Sequence, residues 1–130
     1  MEIDIPEVKA EVEAVFRRYE TALVDNDVDT LDELFHRDAR TLRFGAGENL
    51  FGYDAIANFR AARSPAGLAR TLEGTVITTF GCDFATASTL FRRASVPGKV
   101  GRQTQTWVRF ADGWKVVAAH VSLIQETSER

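Results

Sequence analysis

The chain is short of the residues that most often carry chemistry, with a single cysteine and two histidines among 130 residues. One cysteine, Cys82, excludes an internal disulfide, so an oxidising compartment is not required. It lies in Phe80-Gly81-Cys82-Asp83, which reads as a turn between strands with no Cys or His beside it, so a plain packing or turn role is expected. His36 and His120 have no second His or Cys at ligand spacing, and no metal site is expected. No cofactor is expected either. There is no Gly-x-Ser-x-Gly elbow, and Gly45-Ala46-Gly47 lacks the lysine and helix entry of a phosphate-cradling loop. A serine-type amidase is excluded as well, since no serine–lysine pairing is suggested. No apolar run approaches the ~18 residues of a membrane span, and the N-terminus is not basic-then-apolar. A cytoplasmic location without membrane contact is the expectation.

What is present is a 45% hydrophobic composition in a length suited to one compact α+β domain over residues 1–130. The net charge of −3 argues against nucleic acid as a partner. The distribution says more than the sum. Residues 1–38 carry a balance of −8, and the remainder carries +5, with 13 arginines against 3 lysines in the whole chain. The acidic part reads as a solvated helical face, and the arginine excess gives mild support for anion binding.

Asp4-Ile5-Pro6-Glu7 predicts a helix start, with Asp4 as cap and Pro6 in the first turn. Val8, Val12, Val15, Phe16, Tyr19 and Leu23 then keep helical spacing to about Val24. Asp25-Asn26-Asp27 breaks that helix, and a short second one follows with Leu31, Leu34 and Phe35 as its apolar face. Thr41-Leu42-Arg43-Phe44 predicts a short strand, the glycines after it a tight bend, and Asp54–Arg63 a helix bearing Ile56, Phe59 and Ala62. Ser64-Pro65-Ala66-Gly67 is a loop. From Ala69 onward the pattern is of long strands: Thr71–Phe80, Phe84–Arg93, Val100–Phe110 and Trp114–Ile124, the last two joined by an Asp112-Gly113 hairpin turn. Helices followed by strands linked through short turns predict an antiparallel sheet, curved into a cone whose open mouth the N-terminal helices cover.

Three arginines cluster in this scheme: Arg43 on the short strand, and Arg60 and Arg63 one turn apart on the next helix. Guanidinium groups bind carboxylates in a planar, two-pronged way, so a small carboxylate-bearing molecule is the expected ligand. The alternative for Arg43 is a strand arginine paired to Glu48 or Asp54, and Tyr19, from its place on the apolar stripe, reads as a core aromatic. Gln103, Gln105 and Trp107 share one face of their strand, with Thr104 and Thr106 on the other. The sequence leaves open which set points inward; we assign the first to substrate binding. His120 joins them as a wall residue, on one face with Ala118 and Val116. Glu48 and Asn49 either line the loop at the mouth or cap it.

The segments RFG-x-GEN-x-FG-x-x-x-I-x-x-FR-x-x-R at Arg43–Arg63, GRQTQTWVRF at Gly101–Phe110 and GWKVVAAHVS at Gly113–Ser122 resemble the AtzH-like family. That family sits within the nuclear transport factor 2-like (SnoaL-like) superfamily, whose cystatin-like roll follows the same order of elements. The resemblance implies a cofactor-free hydrolase that decarboxylates 1,3-dicarboxyurea to allophanate, or else an amidase-accessory binding module of oxalurate catabolism. It also implies catalytic roles for Tyr19 and Arg43. A phenol, with its ordinary pKa near ~10, is protonated at neutral pH and can donate to the nitrogen as carbon dioxide leaves. On this expectation Arg43 binds the departing carboxylate and Arg60 or Arg63 the other. A homodimer or larger homo-oligomer is expected, because the superfold commonly pairs through its sheet. Ketosteroid-isomerase chemistry on the same superfold needs a carboxylate base in an apolar pocket, and these segments offer arginines and amides instead.

Overall fold

A computed structural model describes residues 1–126. The first helix, α1 (Pro6–Val24), buries Val8, Val12, Phe16, Tyr19, Ala22 and Leu23 along one stripe. Asp4 does not cap it. The residue before the helix is Ile5, and the Asp4 carboxylate accepts a hydrogen bond from the Thr79 amide at 2.9 Å, tying the N-terminal segment to the sheet. Asp27, in contrast, caps α2 (Val28–Leu34) by accepting from the Thr30 amide at 3.2 Å. Leu31, Leu34 and Phe35 are all buried.

Two short strands, β1 (Leu42–Phe44) and β2 (Asn49–Phe51), form a hairpin ahead of α3 (Tyr53–Ala62); β2 carries no run long enough to predict. The long strands are β3 (Thr71–Phe80), β4 (Phe84–Arg92), β5 (Lys99–Phe110) and β6 (Gly113–Gln125). The sheet runs β2-β1-β6-β5-β4-β3. It is curved and not closed. Neighbouring strands are antiparallel, as expected, except β1 with β6, which run parallel. A parallel pair needs a long crossover connection, and β1 is separated from β6 by α3 and four strands.

The concave face packs on the helices. One row across it reads Arg43, Ala119, Gln105, Ala87 and Ile77, each opposite the next on the neighbouring strand. Two alanines flanking Gln105 keep this row low, and both belong to the buried core. Gly101 serves a different end. A Cβ there would stand 2.1 Å from the ring of buried Phe91, so the glycine admits the aromatic ring itself. Gly101→Ala should therefore cost about 2 kcal/mol or more by overpacking, read as a lower urea midpoint with an unchanged slope.

Candidate functional site

Tyr19 lies on the buried stripe of α1, 2% exposed, its ring 6.2 Å from that of Phe35. Arginines from three elements cluster here, three of them electrostatic neighbours of its phenol and the fourth, Arg43, a neighbour of those three. Arg43 comes from β1, Arg60 and Arg63 from α3 and its C-terminal cap, and Arg93 from just past β4. The Tyr19 phenol is the foremost electrostatic neighbour of Arg60 and a lesser one of Arg63 and Arg93. Arg43 repels all three. Each guanidinium lies near an aromatic ring: Arg60 at 4.1 Å from the Phe35 centroid, Arg43 and Arg63 at 5.9 and 6.0 Å from Phe59, and Arg93 at 5.2 Å from Phe91.

The positive charges are not alike in how they are balanced. Arg43 meets Glu48 at 2.8 Å, the pairing that made it readable as a structural residue. Gly45 allows this contact, because a Cβ there would fall 1.7 Å from Glu48 Oε2; the space left by that glycine is filled by the Glu48 carboxylate. Arg60 meets Asp32 at 3.2 Å. Arg63 and Arg93 have no acidic partner among the described residues. Burial, then repulsion from Arg43, holds the Arg63 guanidinium below its ordinary value, with Tyr19 acting in the opposite direction. Burial, then repulsion from Arg70 and Arg43, does the same to Arg93. Guanidinium stays charged regardless, so the cost is borne by the folded protein and an arriving anion relieves it.

Two carboxamides complete the wall. Gln103 and Gln105 do face inward, both buried. Arg70 donates to Gln103 Oε1 at 3.0 Å and Trp107 Nε1 donates to Gln105 Oε1 at 3.1 Å, so each amide is turned with its nitrogen free. Trp107 itself is fully buried and acts on the site by positioning Gln105. Arg70 is held in turn by a two-pronged pair with Glu20, at 2.7 Å for both bonds. Among the described residues, no hydrogen-bond partner exists for the buried Arg60 Nη2, Arg63 Nε and Nη2, Arg93 Nε, Gln103 Nε2 and Gln105 Nε2. Every one of these atoms is a donor. Buried donors left unmatched are costly, and a set of one kind calls for a ligand made of acceptors.

His120 is not part of this arrangement. It is exposed, opposite Thr104 on the outer face, with its ring edge-on to Phe44 at 6.2 Å. The cause is a bulge in β6. Thr106 pairs with Ala118 but Trp107 with Val116, so Val117 is an extra residue that reverses the alternation beyond it. Val116 therefore points in, and His120, four positions on, points out. Asn49 is exposed on β2, away from the cluster. Sequence reasoning missed Arg93, Arg70 and Glu20. For Arg93 a signal was there: Ala85, Ala87, Thr89 and Phe91 alternate inward along β4, and Arg93 is the next position in that series.

Roomier hollows on the surface do not suit an anion. One of about 640 Å³ is lined by Asp29, Asp32, Glu33, Asp54 and Tyr53 with Arg37. A cleft of about 490 Å³ is different, because Arg70 and Arg93 form part of its wall, so Arg93 borders both this cleft and the donor cluster. No group of three or more His, Cys, Asp or Glu residues that could hold a metal ion occurs among the described residues. No helix among them is long and apolar enough to cross a membrane.

The AtzH-like family matches residues 1–127. The chain belongs to that family. It is 55% identical to a protein of unknown function from Pectobacterium atrosepticum, with a TM-score of 0.92 and 95% of each chain covered. It is 47% identical to a cystatin-like fold protein from Burkholderia xenovorans, with a TM-score of 0.94 over 98% of this chain and 99% of that one. An NTF2-like protein of unknown function from Pseudomonas putida shares the fold at 20% identity, with a TM-score of 0.75 over 89% of this chain and 86% of that one. No protein of curated function matches the chain. This AtzH-like protein thus has the nuclear transport factor 2-like fold, and its chemistry must be argued from its own site.

The unbalanced charge makes a direct prediction. In anion-free buffer Arg63→Met should be at least as stable as the wild type, since a half-buried charge without an acidic partner among the described residues is removed. Glutarate at 100 times its dissociation constant should stabilise the wild type by about 2.7 kcal/mol and the variant far less, a contrast read by thermal denaturation.

Proposed function

We propose that this AtzH-like protein removes carbon dioxide from a carboxylated urea of the 1,3-dicarboxyurea type, giving allophanate. The observation that supports this most is the buried wall of donors around Tyr19, with two guanidinium groups lacking acidic partners among the described residues. A dicarboxylated urea presents acceptors at both ends and a carbonyl in the middle. The guanidinium groups take the ends, and Gln103 and Gln105 suit the carbonyl.

In the reaction, the bond between a terminal carboxylate carbon and its nitrogen breaks, and its electron pair stays on nitrogen. The Tyr19 hydroxyl gives its proton to that nitrogen as carbon dioxide leaves. The dianion and one proton become the monoanion allophanate and carbon dioxide, and the phenolate regains its proton from water. Neighbouring arginines stabilise that phenolate while it exists. Arg43 faces the departing carboxylate with its charge already answered by Glu48.

The test is to incubate purified protein with freshly prepared 1,3-dicarboxyurea and follow carbon dioxide and allophanate. Turnover above the uncatalysed rate is expected; saturable binding with no acceleration would instead identify an accessory module of ureide (oxalurate) catabolism. We also expect a homodimer formed through the outer sheet face, where Phe84, Leu90 and Ile124 are 41%, 39% and 41% exposed. Light scattering that returns the mass of one chain at micromolar concentration would exclude it.

A further inference from the structure

The arginines around Tyr19 divide into two kinds, and decarboxylation gives a reason. A carboxylate that leaves as carbon dioxide loses its charge on the way to the transition state. A strong cation bound to it stabilises the starting state more than the transition state and slows the step. The retained carboxylate keeps its charge throughout, so strong binding there costs nothing in rate. Arg43 and Arg60, each already paired to an acid, fit the departing end. Arg63 and Arg93, which repel one another and have no acidic partner among the described residues, fit the retained end.

We propose that Arg93, together with Arg63 and the amide nitrogen of Gln103, forms a second carboxylate subsite that holds the end of the substrate not lost and so selects dicarboxylates over monocarboxylates. This rests on the reading of the site given above and deepens it. Arg93 and Arg70 both lie against Phe91, at 5.2 and 4.4 Å from its centroid, yet they do different work. The Arg70 side chain is 1% exposed and its charge is answered by Glu20 through both prongs; its remaining bond turns Gln103 so that Nε2 is free. Arg70 is a positioning residue. Arg93 keeps a buried Nε without a partner among the described residues while its other face borders the 490 Å³ cleft. A carboxylate entering from that side meets Arg93 first and finds Gln103 Nε2 already oriented.

Calorimetry with two stable probes tests the proposal. Glutarate has its carboxylates separated by three atoms, as dicarboxyurea does; butyrate lacks one of them. The wild type should bind glutarate about 10–100-fold more tightly than butyrate, the range expected of charge-assisted bonds. Arg93→Met should bring that ratio close to one, because either probe is then held chiefly through one carboxylate at the Arg43–Arg60 end. With dicarboxyurea as substrate, Arg93→Met should raise KM far more than it lowers kcat. A glutarate preference that survives in Arg93→Met overturns the subsite. Should Arg93→Met fail to fold, Arg93→Lys carries the same test: its point charge lacks the planar fork, so the preference should fall several-fold, and full retention overturns the proposal. The binding arm needs no turnover. Selectivity without catalysis therefore sinks the decarboxylase reading alone, and catalysis with Arg93-independent selectivity sinks the subsite alone.

Discussion

Tyr19→Phe should leave the thermal midpoint close to that of the wild type and lower turnover of 1,3-dicarboxyurea by about 10²–10⁴-fold, the usual share of a positioned proton donor. The ring, not the hydroxyl, fills the space beside Phe35, and phenylalanine keeps that ring. Only the atom facing the arginines is removed. The loss should fall on kcat with glutarate affinity nearly unchanged, because the carboxylates of the probe are held by guanidinium groups. Turnover by Tyr19→Phe equal to the wild type would remove the proton-donor role outright.

The second large effect falls on stability and comes from Glu20. Glu20→Gln preserves shape but strips the charge from a pair whose arginine side chain is 1% exposed. An uncompensated buried guanidinium costs about 3–5 kcal/mol, and the remaining hydrogen bond to Gln103 places the loss near the lower end. Against a total of roughly 5–15 kcal/mol this is a large fraction, visible as an earlier urea midpoint. The double variant Glu20→Gln with Arg70→Met should regain most of it, since the orphaned charge is then gone. If the double variant is no more stable than the single, the pair is not the source of the loss.

Much of the fold was legible because local chemistry and burial agree. The stripe from Val8 to Leu23 fixed α1, and Asp112-Gly113 fixed the β5–β6 turn, where Gly113 has a φ of 113°. The family was legible from motifs at Arg43–Arg63, Gly101–Phe110 and Gly113–Ser122, and the family match over residues 1–127 bears this out. What the sequence concealed was phase and pairing across distance. A one-residue bulge at Val117 turned His120 away from the interior, and no local pattern announces such an insertion. Asp4 looked like a helix cap and instead joined Thr79, a partner far along the chain. Glu20 and Arg70 are separated by 50 residues, so their pairing is a property of the closed fold. The loss of Arg93 from view was avoidable, since strand alternation already pointed it inward.

The unpartnered buried nitrogens give hydrogens and take none, which has a bearing on how the proposed chemistry would end. On the proposed reaction an amino group would replace the terminal carboxylate, and it would offer hydrogens toward guanidinium and amide nitrogens that can accept none. The spent molecule thus mismatches the surface that welcomed its precursor. Allophanate, matched at its retained end alone, should therefore bind more weakly than dicarboxyurea.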